Sequence, residues 1–182
     1  MPLLDAAFPA GAALPECARE LLKALYPTVR WNEVTFHPVL PAYLLKFTNA
    51  AVTLPDPLSI RHIRIFVAAG KWNGGVMTRE LLGLLVHEGY HVLQYQQRLG
   101  GIGLGPLRGF VVQYLAAAVT QGGGRRNRYE KPAYAHEAAF LRAWDRLAVK
   151  PCAPGGTPDT TRSTIVELLR IAPDLVKTRA EP

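Results

Sequence analysis

Fifteen prolines are scattered over the 182 residues of this chain, yet none falls between Trp72 and Gly105. Within that run the segment from Thr78 to Leu99 predicts a single long helix. Thr78 is a good N-cap residue, Glu80 suits the first turn, and Gly100-Gly101 provides the stop. At about 1.5 Å per residue, some 20 residues span roughly 30 Å, the width of a small domain. Leu81, Leu82, Leu84, Leu85, Val86, Val92 and Leu93 surround much of the helix axis instead of forming one narrow stripe. A helix of that kind has to run through the middle of a core, and the remaining chain has to fold around it.

The elements on either side are shorter. Pro15 to Tyr26 reads as a first helix, with Cys17, Leu21, Leu22 and Leu25 at helical spacing and Pro27 as its stop. Val34–His37, Ala50–Leu54 and Ile60–Val67 read as strands. In the last of these Ile63, Ile65 and Val67 alternate with Arg64 and Phe66. Trp72–Gly75 reads as a turn. Beyond the long helix, a second apolar helix is expected from Pro106. The basic loop Arg125-Arg126-Asn127-Arg128 leads to another helix over about Pro132–Val149. Lys150–Asp159 is rich in Pro and Gly, and Thr160–Ile171 is a last amphipathic helix, either packed or partly detached. The expectation is an α+β domain over residues 1–149, followed by a linker and C-terminal helix over 150–182.

The long helix contains His87-Glu88-Gly89-Tyr90-His91, an H-E-x-x-H pattern. Two histidines at i and i+4 lie one turn apart on one face, so both imidazoles can reach one metal ion. Glu88 is turned about 100° from His87 and about 60° from His91, so its carboxylate flanks the same point without ligating it. A zinc ion lowers the pKa of its water toward about 7, and a neighbouring carboxylate can take that proton. Those are the parts required for hydrolysis of a peptide bond. Shuffling this composition gives roughly 0.005 expected matches to the pattern, so its placement on the strongest helix carries weight. Gly89, inside the helix, is read as a site of tight helix–helix packing. Gln94 and Tyr95 continue the histidine face one turn on, as supporting or packing groups.

Two histidines leave a catalytic zinc site one protein ligand short. The sequence after His91, VLQYQQ, lacks the metzincin Gly and His. No Asp or Glu recurs before Glu130, which leaves Glu130, His136, Glu137 and Asp145 as downstream candidates.

Around these residues the chain resembles a group of small bacterial HExxH metallopeptidases of the minimal gluzincin type, many without a characterised substrate. The similarity is to HExxHxxQ, a Gly-rich connection and NxxExxA. Here these are His87, Glu88, His91 and Gln94, then Asn127, Glu130 and Ala133, together with the preceding strands, over residues 34 to 148. The resemblance implies a zincin-like fold, with a small mixed or antiparallel sheet packed on the H-E-x-x-H helix. It implies Glu130 as third ligand, Glu88 as general base and Zn2+ as the cofactor. Pro132 places Glu130 at the very start of its helix, and Glu137 follows on the same face two turns later. Tyr134, four residues after Glu130, is a candidate to stabilise the oxyanion; His136 is a weaker one. Zincins commonly line the cleft with a strand edge, and Ile60–Val67 is the candidate to hold an extended peptide.

The chain carries 21 Lys+Arg against 14 Asp+Glu. Arg125, Arg126, Arg128 and Lys131 would form a solvated loop or a basic rim. The loop lacks interleaved aromatics and any nucleic-acid motif, so nucleic acid is not the expected partner. A peptide or protein substrate is expected. The rival is a catalytically silent zincin-like module that binds an acidic partner or nucleic acid, and a third reading is a closed structural zinc site. No run of about 18 apolar residues suggests a membrane span, and the first residues make a poor secretory signal. A reducing cytoplasm is therefore expected, with Cys17 and Cys152 as incidental thiols. The oligomeric state is not legible.

Overall fold

The computed structural model describes residues 11–42, 44–45, 48, 50–56, 62–72, 76–99 and 126–180. The elements in chain order are α1 (Glu16–Leu25), β1 (Val34–His37), β2 (Ala51–Pro55), β3 (Ile63–Val67), the short α2 (Ala69–Trp72), α3 (Arg79–Leu99), α4 (Glu130–Arg146) and α5 (Pro158–Ile171). The described part is thus α+β. The expected Pro106 helix, the Gly100-Gly101 stop and Arg125 lie outside the described residues. So does most of the Trp72–Gly75 turn, and Trp72 itself closes α2.

The sheet has three strands in the order β1-β3-β2. β1 runs parallel to β3, pairing Val34 with Ile63, and β2 runs antiparallel to it, pairing Thr53 with Ile65. The sheet is mixed because β1 and β3 are far apart in sequence, whereas β2 precedes β3 closely. This overturns one expectation. The strand over Ile60–Val67 was read as the edge that would hold a peptide, but β3 is central and both its sides are paired. Its alternating pattern carried no information on its neighbours. Among the described residues β2 pairs with β3 alone and is an edge strand; β1, at the other edge, carries one further bridge, from Phe36 to Ala12.

α3 is the buried axis that its composition demanded. Thr78 caps it, its Oγ1 accepting from the Leu81 N–H at 3.1 Å. Gly83 lets α4 approach: a Cβ there would sit 2.9 Å from a Leu141 methyl. Gly89 does the same for the end of α1, where a Cβ would fall 2.6 Å from the Tyr26 ring and 3.4 Å from Trp31. The packing reading of Gly89 therefore holds. Tyr26 spans this junction, and its hydroxyl donates to the Val86 carbonyl at 2.5 Å.

α5 is packed, with Thr161, Thr164, Ile165 and Leu168 buried. Beyond it the chain returns to α1 and α3. The Lys177 N–H donates to the Leu25 carbonyl at 2.8 Å, and Gln97 holds both the Thr178 carbonyl and the Ala180 N–H, each at 2.7 Å. Cys17 and Cys152 form a disulfide across a separation of 135 residues. That corrects their reading as incidental thiols. A count of two cysteines said nothing about proximity, and the fold of α5 onto α1 is what brings them together. In the chain-entropy model, closing so long a loop contributes about 5 kcal/mol. Reduction, or Cys17→Ser, is expected to lower the melting temperature by roughly 10–20 °C. An unchanged melting curve in the presence of reductant would show that the pair does not staple the fold.

His136, a downstream candidate in the sequence, is buried in the core. Its ring lies between Tyr26 and Tyr90, with centroids at 5.4 and 5.7 Å. Its Nε2 finds no hydrogen-bond partner among the described residues. Burial, aided by the Lys177 charge, pushes the imidazole pKa down to about 4. Between that value and the ordinary 6.5, the unfolded chain binds a proton that the folded chain refuses. Stability present above pH 6.5 should therefore drain as pH falls toward 4, by about 3 kcal/mol in all. Denaturation of chelator-treated protein across this range should show the loss in wild type and not in His136→Phe. Parallel curves would refute it.

Candidate metal centre

Three groups converge between α3 and α4. His87 and His91 come from successive turns of α3, and Glu130 is the first residue of α4. The helix start is built by Asn127. Its carbonyl accepts the N–H groups of Glu130 and Lys131, each at 3.0 Å, and its side-chain Oδ1 accepts from Tyr129 N–H at 2.9 Å. Pro132 then falls inside the first turn, where its missing N–H costs nothing. The helix expected from about Pro132 therefore begins two residues earlier, at Glu130.

The three donor groups form a compact triangle, in which the two rings meet different oxygens of the one carboxylate. His87 Nε2 lies 3.2 Å from His91 Nε2 and 3.2 Å from Glu130 Oε2, and His91 Nε2 lies 3.3 Å from Glu130 Oε1. A tetrahedral zinc with bonds of about 2.0–2.1 Å separates its ligand atoms by about 3.3–3.4 Å. All three side chains are buried. Among the described residues no fourth protein donor joins the group.

The outer nitrogens of both rings are engaged, which fixes what the inner ones can do. Gln94 Nε2 donates to the Tyr129 carbonyl at 3.0 Å, so its Oε1 faces His91 Nδ1 at 2.8 Å and must accept from it. His87 Nδ1 lies 3.2 Å from Glu137 Oε2, again an acceptor. With both Nδ1 atoms protonated, each neutral ring turns an Nε2 lone pair toward the other ring and toward a carboxylate. That arrangement calls for a cation at its centre, and the donor set fits Zn2+. The same demand is visible in proton affinity. Burial opposes a charge on His87, but Glu130 and Glu137 overcome it and lift the imidazole pKa to about 10.

Glu137 was read as the competing ligand, or as lying far along the helix. It sits instead behind His87, on the nitrogen facing away from the triangle, because the seven-residue spacing returns it to the Glu130 face while α3 crosses beside it. Asp145 is elsewhere altogether, in a two-pronged ion pair with Arg79 at 2.7 Å. His37 is bonded to Thr35 Oγ1 at 3.1 Å and stacked on Phe66.

Glu88 is buried beside the triangle. Its Oε2 accepts from Thr53 Oγ1 of β2 at 2.6 Å. Burial raises its pKa; His87, His91 and Thr53 pull the other way. The Tyr134 ring meets the His87 ring edge-on at 4.5 Å between centroids. Burial, then the charges of Glu88 and Glu130, hold the Tyr95 phenol protonated well above its usual range. At the mouth of α4, Arg126 and Lys131 are exposed, while Arg128 stacks over the Tyr129 ring and donates to its hydroxyl.

Sequence reasoning did not find Thr53 or the role of Glu137. Both depend on contacts between elements far apart in the chain, for which spacing gives no signal. No family model, curated protein or solved structure matches the chain.

Protein purified without added metal is expected to hold about one zinc ion per chain, and His87→Ala, His91→Ala and Glu130→Ala should each lose it. Glu137→Ala should keep the site but weaken zinc roughly 10–100-fold in competition with a chromophoric chelator. Full affinity in Glu137→Ala would remove it from the site, and full zinc content in either histidine variant would sink the centre.

Proposed function

We propose that this protein is a zincin-like, zinc-dependent metallopeptidase of the gluzincin type, with His87, His91 and Glu130 as ligands and Glu88 as general base. The observation that carries the reading is the triangle of donor atoms with a buried carboxylate beside it and no fourth protein donor among the described residues. A closed structural site would need that fourth donor; His136 is turned into the core, and Glu137 is bound to the back of His87. Both candidates for closing the site are thus spent elsewhere.

Zinc bound there would supply a water of lowered pKa and an acid for the substrate carbonyl. Glu88 takes the proton from the attacking water and passes it to the leaving amine. A pKa raised by burial suits a group that must accept a proton and then return it. Tyr134, whose ring is in edge contact with that of His87, is assigned the task of steadying the oxyanion on the scissile carbonyl through its hydroxyl. Burial of the ligands and base excludes bulk water from these steps. The substrate is a peptide or protein segment, and the edge of β2 offers it backbone pairing in extended form.

No helix among the described residues is long and apolar enough to cross a membrane. The Cys17–Cys152 bond is at home in oxidising surroundings, which runs against a reducing compartment.

The test is Glu88→Gln in zinc-loaded protein, assayed on denatured casein and on a mixed peptide library. Wild type should cleave, and the variant should retain zinc and lose at least about 100-fold in rate. Cleavage undiminished in Glu88→Gln, or loss of the metal with the substitution, would overturn the assigned role. A zinc-loaded wild type that cleaves nothing would favour the silent binding module.

A further inference from the structure

Thr53 lies in the middle of β2, opposite Ile65 of β3. The strand's alternation sends Ala51 and Thr53 to its buried side. A valine would fill that position with nearly the same shape, so the hydroxyl is the part that needs an account. Its Oγ1 lies 2.6 Å from Glu88 Oε2 and 3.3 Å from the Glu88 carbonyl. A hydroxyl carries one proton, and a carboxylate has none to give, so Thr53 donates to Oε2 across the shorter contact.

From this geometry we infer that Thr53 is the positioning residue for the base. Its hydroxyl sets the plane of the Glu88 carboxylate and leaves Oε1 as the oxygen that takes the proton. The inference rests on the reading of Glu88 as general base. The terminal torsion of a glutamate is broad, so the side chain alone does not choose which oxygen faces the reaction. A hydroxyl on a strand is well suited to choose, because β2 is paired with β3 along its length and is a different element from the helix that carries Glu88. The same strand lies at one edge of the sheet, so a peptide lying along β2 would be aligned by the element that also orients the base. A mere core threonine would have no such consequence for chemistry, since a helix packed on a strand needs only the bulk of the side chain.

The experiment compares full-length, zinc-loaded wild type with Thr53→Val, Thr53→Ser and Glu88→Gln. Three quantities are read: zinc affinity, affinity for acetohydroxamic acid, and kcat and KM on a cleaved peptide. Acetohydroxamic acid hands its hydroxyl proton to a neighbouring base as it binds a metal, so its affinity reports the carboxylate without turnover. Thr53→Val is expected to keep zinc, to bind acetohydroxamic acid about 10–100-fold more weakly, and to lose kcat by a similar factor at nearly constant KM. Glu88→Gln should weaken the same probe, and Thr53→Ser should restore most of both losses. Wild-type probe affinity and kcat in Thr53→Val would overturn the inference, as would Thr53→Ser behaving like the valine variant. Loss of zinc in Thr53→Val would overturn it too, because Thr53 would then be supporting α3 as a whole. If wild type holds zinc but cleaves no peptide, the peptidase reading falls on that result, and the acetohydroxamic acid affinities decide Thr53 by themselves.

Discussion

Two imidazole lone pairs and a carboxylate meet at 3.2–3.3 Å inside the protein, away from water. Each of these acceptors was well solvated in the unfolded chain, and each loses that solvation on folding. What they gain from one another is repulsion unless a positive charge lies between them. A proton answers part of the demand, as the raised His87 pKa indicates, but it serves one pair of atoms at a time. A divalent ion serves all three at once. Glu137 and Gln94 accept from the outer nitrogens and so direct the inner lone pairs to a single point.

Rigid elements hold that point. The two histidines are one turn apart on a helix locked on several sides: Leu141 fills the space over Gly83, Tyr26 the space over Gly89, and the Tyr26 hydroxyl grips the Val86 carbonyl one residue before His87. Glu130 is fixed by an asparagine turn just ahead of it, and its helix is tied to α3 through Gln94 and the Tyr129 carbonyl. Glu88 is met from the third side by Thr53 of the sheet. His87 and Glu88 are thus each met by a side chain from another element, while His91 is held by Gln94 of its own helix, itself tied to the Tyr129 carbonyl.

The parts legible in the sequence are those that depend on local spacing. The i, i+4 histidines, the capped α3 with apolar residues around much of its axis, and the three short strands could all be read from the chain itself, because the helical and strand periods report them directly. Glu130 was reached through resemblance to HExxH peptidases, and its place in the triangle rests on its own geometry. The misreadings share one cause. The place of β3 at the sheet's centre, the turning of Glu137 behind His87, the burial of His136 and the Cys17–Cys152 bond all depend on which distant elements lie side by side. Periodicity says which face of a strand or helix is buried but not what buries it. Thr53 shows the limit most plainly: a threonine in a strand is unremarkable by composition, and only its meeting with Glu88 across 35 residues gives it a role.

The disulfide and the centre divide the work of holding the chain together. The bond joins residues 17 and 152 and so encloses β1 to β3, α3 and α4 in one covalent loop. A metal at the centre would join residues 87, 91 and 130 within that loop, tying α3 to α4 where the buried charges lie. Without an ion, the carboxylate and the two rings weaken this interface from within, although the apolar packing around Phe140, Leu85 and Tyr90 remains. Metal binding then contributes to folding as well as to chemistry, since an ion that binds the assembled triangle and not the open chain stabilises the former by mass action. The disulfide acts on a different part, keeping α5 and the returning C-terminal segment on α1 whatever occupies the triangle. The two crosslinks should therefore respond separately to chelator and to reductant, because they secure different contacts, α3 to α4 in one case and α1 to the segment ahead of α5 in the other.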